Sequence, residues 1–197
     1  MSRLRVGIDC DGVLYNWLDA TCKVVGLPPY GEYGSPSWTH IIGAMGQEKW
    51  ADLWKDHYKV RAMFEDGLPL QGAVDGVKRV LKSADVFLVT DRPEGARAAT
   101  MRWLGAYRLN VTGLLFSKPN DKAEIVTALR LAAFVDDKPE TVEILEANTP
   151  TRSYLMRKRH NEEFKWAAAR TVTHLGQFAD EVEAMLDRKR ADREGIL

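Results

Sequence analysis

Two pairs of carboxylic acids each follow a short apolar stretch of the sequence. The first pair is Asp9 and Asp11, and the second is Asp136 and Asp137. Carboxylates that gather at one place repel each other, so they need either a cation or a raised proton affinity. Oxygen ligands with no suitable Cys or His nearby favour Mg²⁺, which also neutralises the oxygens of a phosphoryl group in transfer. The pattern therefore predicts that all four acids hold Mg²⁺ at a site for phosphoryl chemistry.

Polar side chains also follow the other apolar stretches. They are Thr90, Asp91 and Arg92 after one stretch, and Ser117, Lys118 and Lys122 after the next. Ligands bind outside the carboxyl ends of the strands in an open parallel sheet, so strands that end at these positions would bring the groups to one rim. This convergence of carboxylates, a hydroxyl and a lysine is more specific than any single motif.

The converging groups predict a two-step reaction. Asp9 attacks phosphorus in line and becomes an aspartyl-phosphate. Asp11 protonates the departing alkoxide and later takes a proton from the hydrolytic water, while its backbone carbonyl can ligate the metal. Thr90 donates a hydrogen bond to a phosphate oxygen, and Lys122 holds positive charge near Asp9. We therefore expect Asp9, Asp11, Thr90 and Lys122 to be the catalytic residues.

A second set of residues is expected to bind the substrate. The set consists of Asp91, Arg92, Lys118, Trp17 and Trp38. Lys118 lies in the same loop as Lys122 and is the alternative catalytic lysine, although Lys122 is favoured because it opens a predicted helix. Arg92 either reaches a second substrate group or lies on the surface. Trp17 or Trp38 could stack on a nucleobase, whereas most aromatic residues around them are expected to form a small core.

The elements that must position these groups follow from the apolar periodicity. Strands are predicted at residues 4–8, 86–89, 114–116, 133–135 and 154–156, with the last as the final core strand. Predicted helices include residues 17–25, residues 47–61, one opened by a capping box of Asp121 and Glu124, and a C-terminal amphipathic helix. This alternation predicts a Rossmann-like α/β sandwich of three layers with a parallel sheet. Residues 16–70 interrupt it as an inserted helical cap, which leaves residues 1–15 and 71–197 as the core.

Composition restricts the possible partners. The chain of 197 residues carries 28 basic and 28 acidic side chains, a balance that argues against coating nucleic acid or a membrane surface. Its two cysteines, Cys10 and Cys22, do not make a disulfide framework, and Cys10 is expected to be a buried filler. No apolar run approaches the ~20 residues of a membrane helix, and the N-terminus lacks a signal-peptide pattern. We expect a cytoplasmic protein without membrane partners, and a homodimer remains possible.

The motifs resemble those of a known superfamily. The run Asp9-Cys10-Asp11-Gly12-Val13-Leu14 resembles motif one of the haloacid dehalogenase superfamily. Thr90, Lys122 and the pair Asp136-Asp137 resemble motifs two, three and four, in matching order over roughly residues 4–156. The insertion after motif one resembles a type-one helical cap. The opening, the small cap and the run Val-Asp-Asp-Lys-Pro most resemble the 5′(3′)-deoxyribonucleotidase group, which implies an Mg²⁺-dependent phosphatase of nucleoside monophosphates.

Other interpretations are compatible with parts of this pattern. A phosphatase of another small metabolite or of nucleic-acid ends would use the same groups, and the latter would need an open basic groove. The basic run of residues 157–160 is expected to be a solvated face. A receiver-like phospho-acceptor module also combines aspartates, Thr and Lys around Mg²⁺, but its acidic pair normally precedes a separate acceptor aspartate. A binding protein without activity is a further alternative.

Overall fold

A sheet of six parallel strands lies at the centre of the computed structural model, which describes residues 3–30, 39–118, 121–165 and 170–194. The strands are β1 (Leu4–Ile8), β2 (Ala84–Thr90), β3 (Gly113–Phe116), β4 (Ala133–Asp136), β5 (Arg152–Met156) and β6 (Arg170–Val172). Their order is β3-β2-β1-β4-β5-β6, and every neighbouring pair is parallel. The winding reverses between β1 and β4, where open α/β sheets bind their ligands.

Helices cover both faces of the sheet, which confirms the predicted three-layer sandwich. The helices described between β1 and β2 are α1 (Trp17–Val25), α2 (Thr39–Met45), α3 (Gln47–Leu53), α4 (His57–Glu65) and α5 (Ala73–Ser83). The later ones are α6 (Arg97–Ala106), α7 (Lys122–Ala128), α8 (Pro139–Asn148) and α9 (Leu175–Glu194). One buried cluster joins β1 and β2 to α5 and α9, and another joins β4 to α7 and α8. Within the described ranges, no helix has the length and apolar character to cross a bilayer.

Helices α1 to α4 form an inserted segment between β1 and α5. The chain enters and leaves this segment side by side, since the Asn16 amide donates to Leu68 O and the Leu70 amide donates to Leu14 O, each at 3.0 Å. Inside the segment α1 packs against α4, and α4 also packs against α6. The predicted cap, residues 16–70, begins and ends at these two hydrogen bonds. Whether it is a separate domain stays a prediction.

Three local predictions were wrong. The single helix predicted over residues 47–61 is divided into α3 and α4, because the Asp56 carboxylate accepts two backbone amides and caps α4. The capping box of Asp121 and Glu124 does not form, since the Asp121 side chain makes no capping hydrogen bond. Strand β5 is not the final strand, because β6 pairs with it.

Both cysteines are buried as free thiols. Burial raises the pKa of Cys10 far above its ordinary value. Cys10 is therefore an unreactive filler between the two aspartates of the opening motif, as its apolar setting predicted.

Candidate active site

Asp9 and Asp136 lie together where the winding of the sheet reverses. The Asp9 backbone amide donates a 2.9 Å hydrogen bond to Val135 O, which joins the end of β1 to β4. Lys122, the first residue of α7, lies between the two carboxylates. Its Nζ donates one 2.7 Å hydrogen bond to Asp9 Oδ1 and another to Asp136 Oδ2. All three side chains are buried, so the first and last acidic motifs meet at one lysine.

Asp137 adds a third carboxylate, and we call Asp9, Asp136 and Asp137 the acidic cluster. One oxygen from each of these side chains lies within 4.8 Å of the other two. Gly12 leaves room for this arrangement: its φ is 77°, and a Cβ there would overlap the Asp137 carboxylate. Three buried carboxylate oxygens fit the preference of Mg²⁺ for hard ligands, and a divalent cation would offset their repulsion.

The turn after β5 holds the backbone of Asp137. Asn161 Nδ2 donates a 2.7 Å hydrogen bond to Asp137 O and a 2.8 Å hydrogen bond to Met156 O. His160 Nε2 lies 3.0 Å from Asp137 O and 3.2 Å from Asp137 Oδ2. Sequence reasoning missed both roles, because His160 lies in a basic run expected to be a solvated face and a single Asn in a loop carries no spacing signal.

Burial and charge repulsion set the proton affinities of the acidic cluster. Burial raises the pKa of Asp9 well above its ordinary value; Lys122 opposes this effect, and the neighbouring carboxylates add to it. Burial also raises the pKa of Asp136, and the positive charge of Lys122 again opposes this effect. Burial by itself would lower the pKa of Lys122, but Asp136 and Asp9 raise it above the ordinary value. Lys122 therefore stays protonated, and a bound cation would favour the ionised carboxylates.

The carboxylate of Asp11 is paired with Arg92 and does not belong to the acidic cluster. Arg92 Nη2 donates to Asp11 Oδ1 at 2.7 Å, and Nε donates to Oδ2 at 2.9 Å, which is a bidentate ion pair. The Arg92 side chain is 0% exposed, whereas that of Asp11 is 27% exposed. This burial does not fit the predicted contact between Arg92 and substrate, or its alternative position on the surface. Among the described residues the acidic cluster includes no side-chain oxygen of Asp11, and the predicted metal contact through its backbone carbonyl stays a prediction.

Asp91 joins two strand ends at the rim. Its Oδ2 accepts a 2.7 Å hydrogen bond from Lys138 Nζ, and its Oδ1 accepts a 2.6 Å hydrogen bond from Ser117 Oγ. Lys122 Nζ lies 4.0 Å from the same Oδ2. The Lys138 side chain is 51% exposed and is a second cation of the rim. Sequence reasoning missed Lys138, although its position directly after Asp137 placed it at a strand end.

The remaining predicted residues have different positions. Thr90 is buried at the end of β2, and its hydroxyl oxygen accepts the Arg92 amide at 3.3 Å. Lys122 contacts Asp9, whereas Lys118 is exposed. Trp17 packs edge-on against Trp50, with 6.5 Å between ring centroids, and its stacking on a base stays a prediction. Trp38 lies outside the described residues.

The basic run of residues 157–160 is not a uniformly solvated face. Arg157, Lys158 and Arg159 line a cavity of about 580 Å³ at the carboxyl ends of β5 and β6. Arg157 is partly engaged, because its Nη1 donates to the carbonyls of Asn161 and Phe164 at 2.9 Å each. We call this space the basic cavity.

Solved structures match this chain over most of its length, whereas no family model and no curated protein matches it. A haloacid dehalogenase-superfamily hydrolase of subfamily IA from Geobacter sulfurreducens has a TM-score of 0.59 and 13% identity, over 91% of this chain and 96% of that one. YfnB from Bacillus subtilis, bound to magnesium, has a TM-score of 0.62 and 11% identity, over 93% and 100%. CbbY from Rhodobacter sphaeroides, in complex with phosphate, has a TM-score of 0.57 and 13% identity, over 89% and 96%.

This chain has the haloacid dehalogenase fold. Solved L-2-haloacid dehalogenases share that fold with it at 9% identity, a level that establishes architecture alone. The strand order of the haloacid dehalogenase fold here also differs from the order 2-1-3-4-5 of receiver domains, so the receiver alternative does not fit the sheet. The finer resemblance to 5′(3′)-deoxyribonucleotidases stays a prediction.

Proposed function

We propose that this protein is an Mg²⁺-dependent phosphomonoester hydrolase that forms an aspartyl-phosphate on Asp9 and acts on nucleoside 5′-monophosphates, deoxy forms included. The observation that carries the proposal is the contrast between two carboxylates two positions apart. Asp9 is buried beside Lys122, whereas Asp11 is held by Arg92 and is partly exposed. Different surroundings let one carboxylate act as nucleophile and the other as acid and base.

In the first step Asp9 attacks phosphorus, so that an Asp9 O–P bond forms while the bond to the leaving oxygen breaks. Asp11 enters this step as the acid with its ion pair to Arg92 opened, and it gives its proton to that oxygen as the alcohol departs. In the second step Asp11 takes a proton from water, which attacks the aspartyl-phosphate, releases inorganic phosphate and restores Asp9. Lys122 keeps a positive charge beside Asp9 throughout. Mg²⁺ held by the acidic cluster would neutralise charge on the phosphoryl oxygens.

The inserted segment favours a small substrate. It begins directly after the opening motif, and the last turn of α4 contacts Arg92, the partner of Asp11, through Phe64 O at 3.3 Å. Helices this close to the acid–base group exclude bulk water and limit substrate size, which argues against phosphoprotein substrates. The choice of a nucleoside monophosphate rests on the sequence resemblance.

A second candidate is a phosphatase of nucleic-acid ends, and the basic cavity is the observation that favours it. Its cationic side chains, Arg157, Lys158 and Arg159, could bind the phosphates of a strand. The zero net charge of the chain opposes this candidate. Cleavage of a carbon–halogen bond is not favoured, because halide leaves as an anion and would give the acid role of Asp11 no purpose.

A phosphate-release screen with Mg²⁺ tests the proposal. Its panel comprises nucleoside monophosphates, sugar phosphates, acyl phosphates, and oligonucleotides with 5′- or 3′-terminal phosphate. We expect many turnovers per chain on nucleoside monophosphates, none in Asp9→Asn, and unchanged turnover in Asp75→Asn, an exposed aspartate on α5. EDTA should stop the reaction and Mg²⁺ restore it.

Three results would contradict parts of the proposal. Activity retained in Asp9→Asn would remove Asp9 as nucleophile. Hydrolysis independent of metal would remove the role of the acidic cluster. Faster release from oligonucleotide ends than from monophosphates would favour the second candidate.

A further inference from the structure

We infer that Arg92 is a positioning residue that couples the inserted segment to the carboxylate of Asp11. The inference rests on the proposed function, because it assigns Asp11 its acid–base role. It adds a physical link between the helices over the site and the group that transfers protons.

The guanidinium of Arg92 contacts three separate parts of the chain. Nε and Nη2 donate to Asp11 in the opening motif. Nη1 donates to Thr100 Oγ1 in α6 at 2.9 Å and to Phe64 O in the last turn of α4 at 3.3 Å. Because the guanidinium is planar and rigid, its position relative to Phe64 determines the direction in which it presents donors to Asp11.

Two aromatic rings hold the plane of this guanidinium. Arg92 Cζ lies 4.4 Å from the ring centroid of Tyr15 and 5.0 Å from that of Phe64. The Tyr15 hydroxyl donates to Met63 O at 3.0 Å and accepts the Gly67 amide at 2.7 Å. The end of α4 and the residues after it are therefore attached to both rings, and a shift of α4 would displace the faces against which Arg92 packs.

Burial makes this arrangement cooperative. A fully buried guanidinium needs its compensating groups, since a charge left unpaired in the interior is strongly unfavourable. If α4 moves away, Arg92 loses a carbonyl and an aromatic face, and the bidentate geometry with Asp11 loosens. With the inserted segment seated, the ion pair with Arg92 orients the Asp11 carboxylate to accept a proton from the hydrolytic water, which links this proton transfer to the exclusion of bulk water.

A double-mutant cycle tests whether Arg92 acts through Asp11. Arg92→Lys keeps the charge but loses the bidentate and stacked geometry. We expect this substitution to lower kcat roughly tenfold to a hundredfold with little change in KM. This loss is smaller than the loss of about 10²–10⁴-fold on removal of an acid–base group itself. In a protein that already carries Asp11→Asn, the Arg92→Lys substitution should lower kcat by less than about threefold.

Two features of the design separate positioning from general stability. Arg102→Lys is the matched control, because Arg102 also forms a bidentate pair with α4, at 2.8 Å and 2.7 Å to Glu65, but is exposed. We expect it to leave kcat unchanged. With p-nitrophenyl phosphate, whose leaving group needs little protonation, Arg92→Lys should preserve the burst of nitrophenolate and slow the later release of phosphate. The inference would be overturned if Arg92→Lys slowed the nitrophenolate burst as much as the release of phosphate. It would also be overturned if Arg92→Lys lowered kcat equally in the wild-type protein and in Asp11→Asn.

Hydrogen exchange tests the coupling independently of catalysis. Coupling is reciprocal, so loosening Asp11 should loosen the end of α4. We expect amide exchange in residues 63–67 to accelerate at least about threefold in Asp11→Asn and in Arg92→Lys, but not in Asp9→Asn or Arg102→Lys. Unchanged exchange in Asp11→Asn would refute the coupling even if the protein is a phosphatase. Accelerated exchange in a protein that releases no phosphate would reject the proposed function and keep the structural link.

Discussion

The ammonium group of Lys122 lies 2.7 Å from the carboxylate of Asp9, although 113 positions separate the two residues in the chain. The same nitrogen lies 2.7 Å from Asp136, so one buried cation joins β1, β4 and α7. Lys118, four residues earlier, is exposed. The contrast between these two lysines leads to the first prediction.

Replacing Lys122 should remove both activity and local stability. We expect Lys122→Met to lower kcat by about 10²–10³-fold, the usual effect of losing one preorganised charge at a reacting group. We expect Lys118→Met to leave kcat unchanged, because that side chain is exposed and does not contact Asp9. Steady-state assays with saturating Mg²⁺ compare the two variants, and thermal unfolding verifies that both are folded. A larger loss in Lys118→Met would reverse the assignment.

Gly12 and Gly26 allow backbone strain to be separated from a clash at the acidic cluster. Both have positive φ, 77° and 74°, so alanine at either position should cost about 1–2 kcal/mol of stability. A Cβ at Gly12 would also overlap Asp137, whereas a Cβ at Gly26 meets no atom within 4 Å among the described residues. We therefore expect Gly12→Ala to weaken Mg²⁺ binding by about tenfold or more, and Gly26→Ala to leave it unchanged.

Titration calorimetry with Mg²⁺ measures this difference. Equal affinities in Gly12→Ala and Gly26→Ala would show that the packing of Gly12 against Asp137 does not shape the metal site.

The acidic cluster should give the metal-free protein a distinctive pH dependence. Burial raises the pKa of Asp9 and Asp136 in the folded state, so folding favours their protonated forms. Their contribution to stability is full below the unfolded pKa and is lost as pH rises through the raised folded pKa. Mg²⁺ binds the ionised form, so the stabilisation that it adds should be larger at about pH 8 than at about pH 5.

Thermal unfolding with Mg²⁺ and with EDTA, across a pH series, measures the increment in stability that Mg²⁺ adds at each pH. The double variant Asp9→Asn, Asp136→Asn should show a small increment at every pH. An increment in the wild-type protein that does not grow with pH would contradict the assignment of these acids as metal ligands.

Lys138 should bind substrate more than it assists the chemical step. Its ammonium group is half exposed at the rim, held by Asp91, and it lies one position after the acidic cluster. We expect Lys138→Met to raise KM about tenfold, the effect of losing about 1.4 kcal/mol of charge-assisted binding, with kcat little changed. Lys138→Arg should restore most of the affinity. A fall in kcat without a change in KM would instead place Lys138 in the chemical step.

Local patterns in the sequence predicted most of the elements, and the errors have identifiable causes. Strand β6 was missed because it is a three-residue edge strand, Arg170–Val172, with only its last residue buried. The break between α3 and α4 carried a signal at Asp56, an N-cap residue type, which the apolar periodicity of the surrounding residues obscured. Trp50 and Trp54 pack edge-on with 5.7 Å between ring centroids. Trp50 packs against a small core, as expected of most aromatic residues in this segment, whereas Trp54 is exposed.

The sequence by itself determined which chemical groups stand at the strand ends, because apolar runs and turn residues are local signals and the ends of parallel strands share one edge. Tertiary structure alone decided which of those groups touch. Asp9 and Asp11 belong to one motif, yet the first is paired with a lysine 113 positions away and the second with an arginine 81 positions away. Such pairings depend on strand order, on side-chain direction and on the burial of charge, and none of these is encoded in the spacing of neighbouring residues.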